Sequence, residues 1–112
     1  MEWIVEKQLV CPQTKTFFAL AVGARNLKLI FWYKGSYFIR ADNHIKTTEQ
    51  DIWVNDKVRD IEIIHIFPFN PPLWNTFKSS LECPGNDADI PLRCASDKPC
   101  LFELCPYGLK VL

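Results

Sequence analysis

The chain predicts a single α+β domain. Five or six mostly antiparallel strands form a bent sheet or small open barrel, with one helix near residues 73–82 and an irregular Cys/Pro-rich tail. Three observations carry that expectation. β-branched and aromatic residues dominate the first 67 positions. An apolar stripe at helical spacing follows Asn70-Pro71-Pro72. Seven of the eight prolines and four of the five cysteines fall from Pro68 onward. At 112 residues and 48% hydrophobic content the chain can build one core. The expected organisation is one domain over 1–112: a β-rich sheet at 1–67, the helix at 68–82, and a tail at 83–112 packed on the same body.

Each element has its own justification. Trp3, Val5, Leu9 and Cys11 alternate with Glu2, Glu6 and Gln8, the period of a strand with one buried face. Cys11-Pro12-Gln13-Thr14 reads as a turn, because proline fixes φ and has no N–H to give a ladder. Thr16 to Val22 is a second strand, ended by Gly23. Leu27 to Tyr33 and Ser36 to Ala41 form a predicted hairpin about Lys34-Gly35, which sets Trp32 opposite Tyr37. Asp42 to Asp51 is polar and reads as a loop.

Ile52 to Val54 is a short strand, and Asn55-Asp56-Lys57 a turn. Val58 to Phe67 reads as one long strand with Ile61, Ile63, His65 and Phe67 on one face and Ile64 and Ile66 on the other. Apolar residues on both faces predict a central, covered position. Asn70 caps the helix, Pro71 or Pro72 fits its first turn, and Leu73, Phe77 and Leu81 with Trp74 make its buried stripe. Cys83-Pro84-Gly85 ends it, and Gly108 to Leu112 offers a short last strand.

Composition narrows the function. Thirteen basic residues balance thirteen acidic ones, so the chain as a whole has no pull toward nucleic acid or anionic lipid. No apolar run approaches the ~20 residues of a membrane span. The start, Met-Glu-Trp-Ile-Val-Glu-Lys, lacks the basic and apolar regions of a secretory signal, and there is no Asn-x-Ser/Thr sequon. The expected compartment is the cytoplasm, where thiols stay reduced. There is no Gly-x-x-x-x-Gly-Lys, no Gly-x-Ser-x-Gly and no His-Glu-x-x-His. Asp87 and Asp89 resemble a fragment of a calcium loop, but without its distal glutamate they read as a solvated turn.

Two groups of residues stand out. Cys83, Cys94, Cys100 and Cys105 could hold Zn²⁺ tetrahedrally and supply a core to a loop-rich segment. Their spacing lacks the usual Cys-x₂₋₄-Cys knuckle apart from the near match of Cys100 and Cys105. Disulfides compete equally with metal, and buried free thiols are favoured over both. The second group is a basic, aromatic surface of Lys28, Trp32, Tyr33, Lys34, Tyr37 and Arg40, of the kind that stacks bases in single-stranded nucleic-acid binders. The neutral net charge argues against that target, and the aromatics serve a core equally well. His44 and His65 have no sequence neighbour that would make them catalytic.

The expected function is therefore a small non-catalytic binding or accessory protein, engaging a protein partner or a second copy of itself through an apolar and aromatic surface. The 13% aromatic content, including four tryptophans, motivates it. A zinc-stabilised module with nucleic acid as target is the alternative. A small thiol-dependent enzyme comes third.

Overall fold

Seven strands follow one another along the chain before the helix. They are β1 (Glu2–Cys11), β2 (Thr16–Val22), β3 (Lys28–Gly35), β4 (His44–Thr47), β5 (Ile52–Val54), β6 (Lys57–Arg59) and β7 (Ile61–Pro68). The helix α1 (Pro71–Ser80) comes next, then the two-residue strands β8 (Arg93–Cys94) and β9 (Lys110–Val111). The computed structural model describes residues 2–49, 51–81, 83, 86, 93–94, 100, 102, 105–107 and 110–111. Strands β1 to β7 form one antiparallel sheet in the order β6-β5-β4-β1-β2-β3-β7, and β8 pairs in parallel with β9. The predicted α+β architecture, an antiparallel sheet with one helix, is the one observed.

The sheet separates two apolar clusters. On one side Trp3, Val5, Val10, Phe17, Ala19, Ala21, Phe31, Tyr33, Ile39, Ile45 and Val54 form the larger core. Ile52 of β5 and Ile61 and Ile63 of β7 pack on this same cluster, although their strands lie near opposite ends of the sheet. The sheet therefore curls around this core into an open barrel. On the other side α1 lays Trp74, Leu73 and Phe77 over Leu9, Phe18, Leu20 and Ile30. Asn70 caps α1 by accepting from the Leu73 N–H at 3.4 Å, and the two prolines occupy its first turn.

β2 is the covered central strand, with Phe17, Ala19 and Ala21 in one cluster and Phe18 and Leu20 in the other. β7, expected in that role, lies at an edge of the sheet. The long strand expected over 58–67 is divided at Asp60 into β6 and β7, with Val58 half-exposed at 50%.

Two irregularities change which face residues occupy. The β1–β2 register shifts between Val5 and Lys7, so Trp3 and Val5 enter the barrel while Leu9 and Cys11 face the helix. Simple alternation places all four on one face; the bulge at Glu6 reverses the phase. The β3–β7 register shifts in the same manner at Ile64, so Ile61 and Ile63 face the barrel while Phe67 packs on the helix side.

The predicted hairpin of Leu27–Tyr33 with Ser36–Ala41 does not form. β3 pairs instead with β2 and β7, and Trp32 lies opposite Phe18 and His65 rather than Tyr37. Gly35, at φ 146°, sits so close to β7 that an added Cβ would strike the Asp60 carbonyl oxygen, and Ser36 N–H donates to that same carbonyl at 3.0 Å. The chain then leaves the sheet and returns Ile39 to the barrel core, where the Ile39 N–H donates to the Tyr33 hydroxyl at 2.7 Å. Part of the predicted loop 42–51 is a strand, β4, which continues the sheet from β1 through Trp3↔Ile45.

The tail expected to be irregular lies mostly outside the described residues. Its described residues pack on the barrel: Cys83, Phe102 and Tyr107 touch the larger core. The expected last strand is present as β9. Among the described residues no helix is long and apolar enough to cross a membrane.

Candidate interaction surface

β6 and β7 end the sheet on opposite sides, yet they are joined through Asp60 and meet at one corner. An open cleft of about 610 Å³ lies there, lined by Ile52, Val58, Ile61 and Ile63 and by the carboxylates Glu49, Asp51, Asp60 and Glu62. Arg59 is the cation in this lining. Its guanidinium lies 4.3 Å from the centre of the Tyr37 ring, and its buried Nε has no hydrogen-bond partner among the described residues. Lys34 reaches Glu62 at 3.2 Å, with both side chains well exposed. Further along β7, Ile64 and Ile66 are 38% and 44% exposed. This edge presents apolar side chains and acidic ones together.

The basic and aromatic residues singled out in the sequence are not gathered on one patch. Lys28 pairs with Glu6 at 3.5 Å and lies 5.5 Å over the Phe69 ring. Trp32 is half-buried on the helix side, donating from Nε1 to Thr16 at 2.9 Å and stacking on Phe18. Tyr33 is fully buried inside the barrel, where desolvation raises its phenol well above the ordinary range. Tyr37 lies beneath Arg59. Arg40 donates to the Pro106 carbonyl at 2.6 Å and lies over Phe38. Of the six, Lys34 and Tyr37 adjoin the acidic cleft, Lys34 through Glu62 and Tyr37 beneath Arg59.

The cysteines are spread. Cys11 is buried beneath the helix side of β1, Cys83 and Cys105 are half-buried, and Cys100 is exposed. Cys94 lies in β8. Cys83 and Cys105 both lie near the Tyr107 hydroxyl, whose pKa is raised by burial first and by Cys83 next. Among the described residues no three His, Cys, Asp or Glu side chains converge to hold a metal ion. His65 is exposed against the edge of Phe67, and His44 is exposed in β4, opposite Ile4.

One residue that organises the tail has no local signature in the sequence. Asn86 lies 76 positions from Val10, yet its Oδ1 accepts the Val10 N–H at 2.8 Å and its Nδ2 donates to the Val10 carbonyl at 2.9 Å. Tyr107 donates to the same Oδ1 at 2.6 Å. The pattern expected of a turn asparagine after Gly85 predicts none of this.

A family model described as PmrD, the IraM/PmrD family, matches residues 1–75. The chain belongs to the IraM/PmrD family. Among its curated relatives, an anti-adapter protein IraM of Citrobacter koseri is 46% identical over 112 residues, covering 100% of this chain and 98% of that one. The anti-adapter protein IraM of Escherichia coli K12 is 36% identical over 110 residues, covering 98% of this chain and 100% of the relative. The crystal structure of E. coli PmrD superposes with a TM-score of 0.63 at 17% identity, a likeness of fold.

PmrD is 99% matched by 72% of this chain, whereas the IraM relatives are matched along nearly the whole of it. Beyond residue 75, where the family model ends, lie Asn86, Phe102 and Tyr107, and the IraM relatives match this part of the chain as well.

Proposed function

We propose that this protein is a small non-catalytic regulator of the anti-adapter kind, which binds a protein partner, an adapter, and by occupying it opposes its action. The observation that carries the reading is the end-to-end match to relatives named anti-adapter proteins, 46% identical across essentially both whole chains. A fold alone does not assign a function; here the match to the relatives also runs on past residues 1–75, where the family model ends. The exposed apolar and acidic edge of β7 supports protein binding physically, since such edges otherwise invite unwanted pairing. In this reading the chain works in the cytoplasm, with its cysteines serving as thiols.

The test is a stoichiometric complex with function attached to it. The tagged full chain is cross-linked in its native host and its partner identified, then both are purified and mixed. The expected result is a one-to-one complex whose formation stops the partner from delivering its client. A partner that binds but keeps delivering at its full rate refutes the anti-adapter role.

A further inference from the structure

We propose that the free edge of β7 docks an extended, basic segment of a protein partner, which adds a strand alongside Ile61–Phe67 and lays its cations over the acidic cleft at the β6–β7 corner. This deepens the regulator reading and rests on it.

The two edges of the sheet differ in how they are protected. β6 has three residues, Lys57, Val58 and Arg59, and is blunted by shortness and by cations. β7 has eight residues, no lysine, its proline only at the last position, where the strand stops, and a single bulge, at Ile64, to interrupt it. Among the described residues β7 pairs with β3 on one side and with no strand on the other. Among the described residues no strand occupies its outer side, the side on which we place a strand from another chain. Main-chain bonds then supply affinity, and alternate side chains supply specificity.

Charge states what that strand carries. Four carboxylates line the cleft against one guanidinium, and Arg59 is already held over Tyr37. The Lys34–Glu62 pair is exposed and screened, so an incoming cation displaces it at little cost. Ile64 and Ile66 offer apolar contact on the stretch of β7 just beyond the charged positions Asp60 and Glu62. Lysine or arginine alternating with aliphatic residues matches this edge. An acidic strand meets repulsion from Glu62 and Asp60.

The probe is an acetylated, amidated heptapeptide of alternating lysine and valine, titrated into the ¹⁵N-labelled full chain beside its glutamate–valine counterpart. Saturable amide shifts are expected at residues 61–67 and around 48–52 and 58–60, with the lysine peptide alone. Ile64→Lys, at an exposed position, should weaken binding at least tenfold, and so should the isosteric pair Asp60→Asn with Glu62→Gln. Amide spectra that match wild type away from β7 verify the fold of each variant. Absence of saturable shifts overturns the proposal, as do equal shifts with both peptides or shifts mapping elsewhere. A dimer in sedimentation that Ile64→Lys dissolves also overturns it and assigns the edge to a second copy. If wild type and Ile64→Lys bind the protein partner equally, the docking edge is wrong while the regulator reading stands. That reading falls if wild type binds no partner, or binds one that keeps delivering its client at its full rate.

Discussion

The Asn86 side chain acts as one rung of a sheet for Val10, accepting its N–H at 2.8 Å and donating to its carbonyl at 2.9 Å. β4 pairs with β1 only across Glu2, Trp3 and Ile4, so the rest of that edge needs other partners. The 41–43 segment serves Val5 through the Asp42 and Asn43 backbone, and Ala41 N–H donates to Gln8 Oε1. Asn86 serves Val10. Backbone polar groups buried beneath a tail are satisfied one at a time.

Removing that amide leaves two backbone groups and the Tyr107 hydroxyl without their partner. Asn86→Ala should cost about 1–3 kcal/mol. Urea unfolding measures it as a lower midpoint at unchanged slope. A loss under about 0.5 kcal/mol would show that water replaces the amide without penalty.

Gly23 is constrained by Trp3. A Cβ at Gly23 would lie 2.6 Å from Cε3 and Cζ3 of the Trp3 ring, which is buried and held edge-on against Phe31. Gly23→Ala should destabilise by about 1–3 kcal/mol through overpacking. The smaller ring of Trp3→Phe should relieve part of that cost. A double-mutant cycle reads the coupling; strict additivity would mean that the two sites do not touch.

Alkaline pH should loosen the barrel. Burial raises the Tyr33 phenol from its ordinary 10.0, outweighing the opposing bond from the Ile39 amide. The folded state therefore binds its proton more tightly than the unfolded state. The associated stability is complete below about pH 10 and falls as pH rises toward the folded pKa. Thermal unfolding at pH 8 and pH 11 tests this, with Tyr33→Phe expected to flatten the difference. Absorbance at 295 nm should show Tyr33 and Tyr107 ionising only as the chain unfolds. If both titrate in the folded protein near 10, the burial argument fails.

Thiol labelling should order the cysteines by exposure. Cys100 is exposed and should react with a disulfide reagent fastest, Cys105 more slowly, and Cys11 only on unfolding. Peptide mapping after timed alkylation assigns each rate. Zinc at Cys83, Cys94, Cys100 and Cys105 would invert that order by shielding Cys100, and would add about 63 Da to the native mass.

The strands and helix were legible because their signals are local. Thr16–Val22 is bounded by a proline turn and a glycine, and α1 by its asparagine cap and paired prolines. The hairpin at Gly35 failed for a non-local reason. Ser36–Ala41 has strand composition, but β3 already has β2 on one side, and β7 takes the other. Competition between two candidate partners cannot be weighed from either segment alone. The faces of β1 and β7 depart from simple alternation at Glu6 and Ile64, where one extra residue reverses the phase. The basic aromatic group dispersed because neighbours in sequence on a strand point to opposite faces: Tyr33 into the barrel, Trp32 toward the helix.

By itself the sequence determined the α+β class, the neutral charge balance and the place of the helix, since these depend on composition and short-range periodicity. Tertiary structure alone decided that β7 is an edge rather than a centre, that Glu49, Asp51, Asp60 and Glu62 share one cleft, and that Asn86 completes β1. Each of those facts depends on which distant segment wins a place beside a strand. That contest is settled by burial of the whole barrel core and by the pairing of every backbone group, not by local preference.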